Sequence, residues 1–338
     1  MQIQQIDFDT IDLQQAVFGT QDQFVRAIEK VLPVSISLRD SKVEVRGEEA
    51  TDVKIAVQVL ESMMQFCEKG ESLDNGVVYR LIEEATDGNL DETLGAMDSV
   101  VAIGYRGAPI RCKTAGQRTY MKALQENAVT ICIGPAGTGK TYLAVAQAAK
   151  ELKNGDIERI IMSRPAIEAG EERLGFLPGD LAQKVDPYLR PLYDALYDII
   201  GTDKTKAFLE RGIIEIAPLA YMRGRTLNKA RVIIDESQNA SLPTLKMALT
   251  RLGEGSRMVL TGDVTQIDLP RAESSGLERC AQILSNIEGI AVTRLSNRDV
   301  VRNKIVKDIV KAFEKEEQRG QEKASKLKPA SGSYRGRK

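Results

Sequence analysis

The stretch that most limits what this chain can fold into is GPAGTGKT, residues 134–141, set between VTICI (129–133) and YLAVAQAAKELK (142–153). β-Branched residues before it favour a strand and the alanine-rich run after it favours a helix, so the loop joins a strand end to a helix start. Three glycines within six residues let successive amides turn inward without Cβ clashes. At the positive end of a helix, such a nest receives phosphate oxygens. The spacing GxxxxGK[ST] adds one fixed cation and one hydroxyl. It implies ATP or a similar triphosphate lying along Gly134, Pro135, Ala136, Gly137, Thr138 and Gly139. Lys140 would reach the β and γ phosphates, and the Thr141 hydroxyl would hold Mg²⁺. The bland alternative, a glycine-rich turn with no ligand, loses ground because the motif is complete and sits in the strand-loop-helix setting it requires.

Hydrolysis needs more than a phosphate cradle. The chain has no histidine, so imidazole chemistry is excluded and carboxylates, cations and amides must do the work. The run RVIIDE ends an apolar strand in Asp235 and Glu236. There Asp235 can hold Mg²⁺ through water and Glu236 can polarise the attacking water. A third strand ends in LTGDVTQ (260–266), and parallel strands open on one crevice, so Asp263 and Gln266 can meet the γ-phosphate. Upstream, KTAGQRTY (113–120) offers Gln117, whose amide matches the adenine edge, though a surface glutamine on a helix looks the same.

At 338 residues and 42% hydrophobic content there is room for two domains. The four cysteines, Cys67, Cys112, Cys132 and Cys280, are too scattered for a metal knuckle. The N-terminus lacks the basic-then-apolar order of a signal peptide, and no long apolar run spans a membrane, so a soluble cytoplasmic protein is expected. Residues 1–70 read as a compact α+β unit. IQQIDF forms a strand, QDQFVRAIEKVL a helix, VSISLR and KVEVR a hairpin, and EEATDVKIAVQVLESMMQF a second helix. In the hairpin, Val34, Ile36, Leu38, Val43 and Val45 face the helices. Residues 71–106 read as a linker with a short helix at GVVYRLIEEA. From 107 to 316, short apolar runs alternate with amphipathic helices, the pattern of an α/β domain with a parallel sheet. Residues 317–338 are polar and end basic. They are expected to be a disordered tail, solubilising in preference to RNA-binding.

Longer strings go beyond the generic loop. SRPAIEAGEERLGFLPGDLAQKVDPYLRPLYDAL (163–196), YMRGRTLNKARVIIDESQN (221–239), LTGDVTQIDLP (260–270) and DVVR (299–302) closely resemble the PhoH-like protein family. The resemblance implies a single RecA-like P-loop ATPase core related to superfamily 1 helicases, with an N-terminal KH-like module at 1–70. It implies ATP and Mg²⁺ at the loop, Asp235 and Glu236 as the acidic pair, and roles for Gln238, Asp263 and Gln266. It also implies that Arg302 steadies the transferring phosphoryl group, in cis or from a neighbouring subunit. The chain departs from the family with Ser237 for alanine and Asn303 for histidine. The segment Gly19-Thr-Gln-Asp22 lacks the GxxG loop that clamps nucleic-acid backbone, leaving RNA binding and assembly as equal roles for that module.

Arg164, Arg190, Arg223, Arg225, Lys229 and Arg231, interleaved with Tyr188, Tyr193 and Tyr221, are candidates for single-stranded RNA contact. Solvated charges and core tyrosines are the plain alternative. The net charge of −1 supplies no global attraction for a polyanion. A single core moving along RNA needs partner cores, so a homo-oligomer, a six-membered ring by family analogy, is expected. The rivals to an RNA-associated ATPase with helicase activity are a nucleotide-switched RNA or ribosome scaffold and a small-molecule P-loop kinase.

Overall fold

The computed structural model describes residues 1–39, 42–68, 70, 73–88, 90, 100–165, 181–269, 274–301, 306 and 309, and for 181–188 the backbone alone. The tail at 317–338, Arg302 and Asn303 lie outside the described residues, as does the segment 166–180. Two compact units emerge, Met1–Thr86 and Asp87–Val301.

In the first unit the order is β1 (Gln2–Asp7), α1 (Ile11–Phe18), α2 (Gln23–Val31), β2 (Val34–Arg39), β3 (Lys42–Gly47), α3 (Ala50–Glu68) and α4 (Asn75–Thr86). The sheet is antiparallel with β3 central, pairing Ile36 and Gln4 with Val45 on its two sides. Val43 and Val45 are fully buried, as are Ile28, Leu60 and Met63 of the helices. Ile36 joins them, while Leu38, near the end of edge strand β2, is 51% exposed. The short helix expected at GVVYRLIEEA is α4, and it packs against α2 and α3. Helix α1 was not legible from periodicity, being only eight residues long; Thr10 starts it, its hydroxyl accepting from the Leu13 amide at 3.1 Å.

The second unit opens with the hairpin β4 (Val100–Ile103) and β5 (Pro109–Arg111), then α5 (Ala115–Glu126). There follow β6 (Val129–Ile133), α6 (Lys140–Asn154), β7 (Arg159–Arg164), α7 (Leu181–Ile200), α8 (Thr202–Glu210) and β8 (Ile214–Pro218). The chain continues through β9 (Ala230–Ile234), α9 (Leu242–Leu249), β10 (Arg257–Gly262), α10 (Leu277–Leu284) and β11 (Ile290–Arg294). Six strands form one parallel sheet in the order β11-β6-β10-β9-β7-β8.

Every residue of β6 and β9 is buried, as strands covered on both faces must be, which is why they read as largely apolar runs broken only by Thr130 and Arg231. One face carries Tyr120, Leu124, Ala144, Ala148, Leu192 and Leu196 from α5, α6 and α7. The other carries Leu245, Ala248, Leu277 and Ala281 from α9 and α10. Truncating Ile131 to alanine in this sandwich would cost about 2–5 kcal/mol. The strand carrying the glycine loop, β6, is separated from β9 by β10 alone. Because all six strands run the same way, their carboxyl ends gather the loop, Arg164, Asp235 and Asp263 on one edge. Among the described residues, no helix is long and apolar enough to cross a membrane.

Candidate functional site

The loop from Gly134 to Gly139 folds as its glycines dictate. Gly137 and Gly139 lie in left-handed backbone, φ 81° and 79°, which side-chain-bearing residues rarely adopt. Gly134 is constrained by space: a Cβ there would lie 2.7 Å from the Cβ of Leu295 on the neighbouring segment. The Gly134 amide donates to the Gly262 carbonyl at 3.1 Å, tying the loop to the end of β10. Thr138 closes the turn by donating its hydroxyl to the Pro135 carbonyl at 2.8 Å. Helix α6 then starts at Lys140, whose own carbonyl accepts from the buried Tyr120 hydroxyl at 3.0 Å.

Lys140 bends back over the loop, and its ammonium donates to the carbonyls of Gly134 and Pro135 at 2.6 and 2.8 Å. Burial pushes its pKa below the ordinary lysine range, while Cys132 and the carboxylates of Asp263, Asp235 and Glu236 pull the other way. The Ala136 amide donates to Asp263 Oδ2 at 3.0 Å, so a carboxylate rests on the loop's rim. Asp263 is held in turn by the Thr265 amide and hydroxyl at 2.9 and 2.6 Å.

Asp235 follows the end of β9 and is 3% exposed. Its Oδ1 accepts from the Thr141 hydroxyl at 2.5 Å and the Thr261 hydroxyl at 2.6 Å; its Oδ2 accepts from Arg164 Nε at 2.9 Å and from Nη2. Glu236, next along, sits in left-handed backbone at φ 52° with its side chain 41% exposed. A glutamate held there carries backbone strain, a pattern that clusters at reactive sites. Behind it Gln238 is fully buried and donates to Glu236 Oε2 at 2.6 Å and to the Gln266 carbonyl at 2.9 Å. Its own oxygen accepts from the Asp263 amide at 3.0 Å. One amide therefore links the ends of β9 and β10. The side chain of Gln266 is exposed.

Mg²⁺ fits this donor set. It favours hard oxygen ligands, few of them from protein, with water and phosphate filling the octahedron. Thr141 and Asp235 supply a hydroxyl and a carboxylate in contact, and among the described residues no cluster of three or more His, Cys, Asp or Glu could hold a metal alone.

Gln117 does not extend to an open pocket. It is 3% exposed, donating to the Thr138 carbonyl at 2.9 Å and accepting from the Lys113 amide at 2.6 Å. Beside it Asp299 accepts from the Thr114 hydroxyl at 2.6 Å and the Ser296 amide at 2.8 Å, and a side chain at Gly116 would strike it. Two residues on, the Val301 amide donates to the Gly137 carbonyl at 2.9 Å. The segment after β11 thus straps the glycine loop. Sequence reasoning missed Thr114, Tyr120, Thr261 and Asp299 as supports. All four lay within stretches singled out for other residues: Thr114 and Tyr120 in KTAGQRTY, Thr261 in LTGDVTQ and Asp299 in DVVR.

The cations proposed for RNA divide sharply. Arg231 is fully buried, ion-paired with Glu151 and donating to the Leu124 carbonyl at 3.1 Å, so its side chain is not open to a nucleic acid. Arg225 pairs with Glu215, holding that carboxyl below and its own guanidinium above their usual pKa ranges. Lys229 pairs with Glu158, and Arg164 with Asp235. Arg190, Arg223 and Tyr221 are exposed, and Tyr193 is half-buried. The side chain of Tyr188 lies outside the described residues.

A family profile described as PhoH-like protein matches residues 109–314. The PhoH-like protein of Bacillus subtilis (strain 168) is 48% identical over 301 residues, covering 89% of this chain and 94% of that protein. The PhoH-like protein of Mycobacterium tuberculosis (strain ATCC 25618 / H37Rv) is 44% identical over 327 residues, covering 97% and 92%. Among solved structures, the large terminase from a thermophilic bacteriophage aligns over 58% of this chain and 48% of that one, at 11% identity. Its TM-score of 0.34 is too low to argue from.

Proposed function

This chain belongs to the PhoH-like protein family, and from that premise we propose that it binds ATP with Mg²⁺ and hydrolyses it to ADP and phosphate in association with RNA. The observation that carries the proposal is the contact between the Thr141 hydroxyl and Asp235, with Glu236 adjoining it. It brings the phosphate loop, the metal-side carboxylate and a base within one cluster.

In this reading the amides of Ala136 to Thr141 and the Lys140 ammonium bind the β and γ phosphates. Lys140 exchanges its two loop carbonyls for phosphate oxygens, and Asp263 gives up the Ala136 amide. Thr141 and Asp235 would hold Mg²⁺, which neutralises charge on the β and γ oxygens when bound. Glu236, oriented by Gln238, takes the proton of the attacking water. Gln266 senses the γ-phosphate, and Arg302, in cis or from a neighbour, steadies the transition state. Gln117 serves the base side of the pocket, either touching adenine after releasing Thr138 or fixing the loop from behind.

The same proposal divides the chain into a KH-like module at 1–70, a linker at 71–106, an ATPase at 107–316 and a basic tail. The β-α-α-β-β-α order from Gln2 to Glu68, before α4, supports the KH-like reading. Exposed Tyr221, Arg223 and Arg190 support contact with single-stranded RNA. Helicase activity, a homo-oligomeric ring and cytoplasmic residence complete the proposal, with light scattering as the check on assembly. A second reading, a slow nucleotide switch on an RNA scaffold, is favoured by one observation: Lys140 and Asp263 already bond the loop that phosphate would fill.

Phosphate release with and without single-stranded RNA, for wild type, Lys140→Ala and Glu236→Gln, separates the readings. RNA-stimulated release lost in both variants supports the motor. Tight ATP binding with negligible turnover supports the switch, and transfer to a metabolite would make the protein a kinase.

A further inference from the structure

A carboxylate offers about four lone-pair sites, and in Asp235 all four are engaged. Thr141 and Thr261 occupy Oδ1, while Nε and Nη2 of one guanidinium, Arg164, occupy Oδ2. Arg164 ends β7, its side chain is 16% exposed, and its Nη2 stands 3.8 Å from Glu236 Oε1. A single cation therefore spans both acidic residues of the proposed site.

For a metal-bound water to reach Asp235, one of these four bonds must open. The two hydroxyls are carried on short β-branched side chains of α6 and β10 whose only freedom is rotation about χ1, and Thr141 is itself a proposed metal ligand. Arg164 is on a long stem with a second acceptor, Glu236, already in reach. It can swing without losing all its partners, whereas remaining in place sets a positive charge against a divalent cation.

Resting on the reading of this cluster as a nucleotide site, we propose that Arg164 competes with the divalent cation for Asp235 Oδ2 and thereby sets the metal concentration at which the site fills. It is a positioning residue: it acts through Asp235 and not on the nucleotide. Without metal it keeps a buried carboxylate neutralised; with metal it moves toward Glu236.

The test is the Mn²⁺ concentration that half-saturates binding of a fluorescent β,γ-imido analogue of ATP, followed by anisotropy, so that no turnover is needed. Wild type, Arg164→Gln and Arg164→Lys are compared with Arg279→Gln, an exposed site in α10 with the same charge change. Arg164→Gln should lower the half-saturating Mn²⁺ by about tenfold. Arg164→Lys keeps the charge but cannot place two donors on one oxygen, and should lower it by about two- to threefold. Arg279→Gln should leave it unchanged. If leaving Asp235 without its cation prevents Arg164→Gln from folding, as a melting curve would reveal, the lysine variant alone decides. An equal or higher Mn²⁺ requirement in the folded Arg164 variants overturns the competition and makes the arginine a plain support. Failure of the wild type to bind the analogue at any Mn²⁺ concentration overturns the nucleotide site itself, and the competition with it.

Discussion

The glycine loop after β6 and the turn between α1 and α2 both reverse the chain through left-handed backbone, with opposite choices of residue. The first places glycine at both positive-φ positions, Gly137 and Gly139. The second keeps Gly19 at φ 73°, where a side chain would strike the Phe24 ring, but then puts Gln21 at 54° and Asp22 at 57°. Both loops use positive-φ residues, yet only the first keeps every one of them glycine. A loop that must hold its amides in a concave nest gains from unstrained glycine at its positive-φ positions; a turn that only connects two helices can carry the strain, about 1 kcal/mol at a residue such as Gln21. The difference supports a phosphate role for the first loop and weighs against a nucleic-acid clamp in the second.

Gly134→Ala should break this contrast most severely. Its Cβ would lie 2.7 Å from Leu295 Cβ and 2.8 Å from the Leu295 carbonyl oxygen, so the loop must shift from the end of β11. Overpacking of this kind costs about 1–3 kcal/mol, and ATP affinity by calorimetry should fall by about tenfold or more. Wild-type affinity in this variant would mean the loop is not a tight cradle.

A milder perturbation is pH. Lys140 has a pKa lowered by burial in the free protein, and bound phosphate raises it again. Affinity is then complete below the free-state value and falls as pH rises through it, by at most about tenfold per unit, until the bound-state value is passed. The decline should begin below the ordinary lysine range, and ATP titrations from neutral to alkaline pH would reveal it. Affinity that holds flat through that range would remove Lys140 from the phosphates.

Smallest is Gln21→Gly. Relief of left-handed strain, partly offset by the entropy glycine adds to the unfolded chain, should stabilise the first unit by about 0.5 kcal/mol. Phosphate release should not change. Loss of stability in urea melts would show that the side chain is needed there.

What could be read in advance follows from the same physics. The glycine loop was legible because backbone geometry leaves almost no alternative residue at 137 and 139. Strands β6, β9 and β10 were legible as short, largely apolar runs. β8 was not, since IEIAP carries a glutamate and a proline, and neither was the insertion of β10 between β6 and β9, which local pattern does not encode. Arg231 looked like a surface cation because arginines usually are. Its partner, Glu151, lies 80 residues away on α6, and no periodicity links the two. Gln117 and Arg164 were noticed for outward-facing roles, whereas the structure turns both toward the loop and the acidic pair.

The most direct test of the proposed ATP site is a single-turnover measurement on Glu236→Gln loaded with radiolabelled ATP and Mg²⁺. The variant should bind ATP about as tightly as wild type while hydrolysing it about 10²–10⁴ times more slowly, the usual loss of a general base. Hydrolysis at the wild-type rate, with binding intact, would contradict the assignment of Asp235 and Glu236 as the metal-side acid and the base.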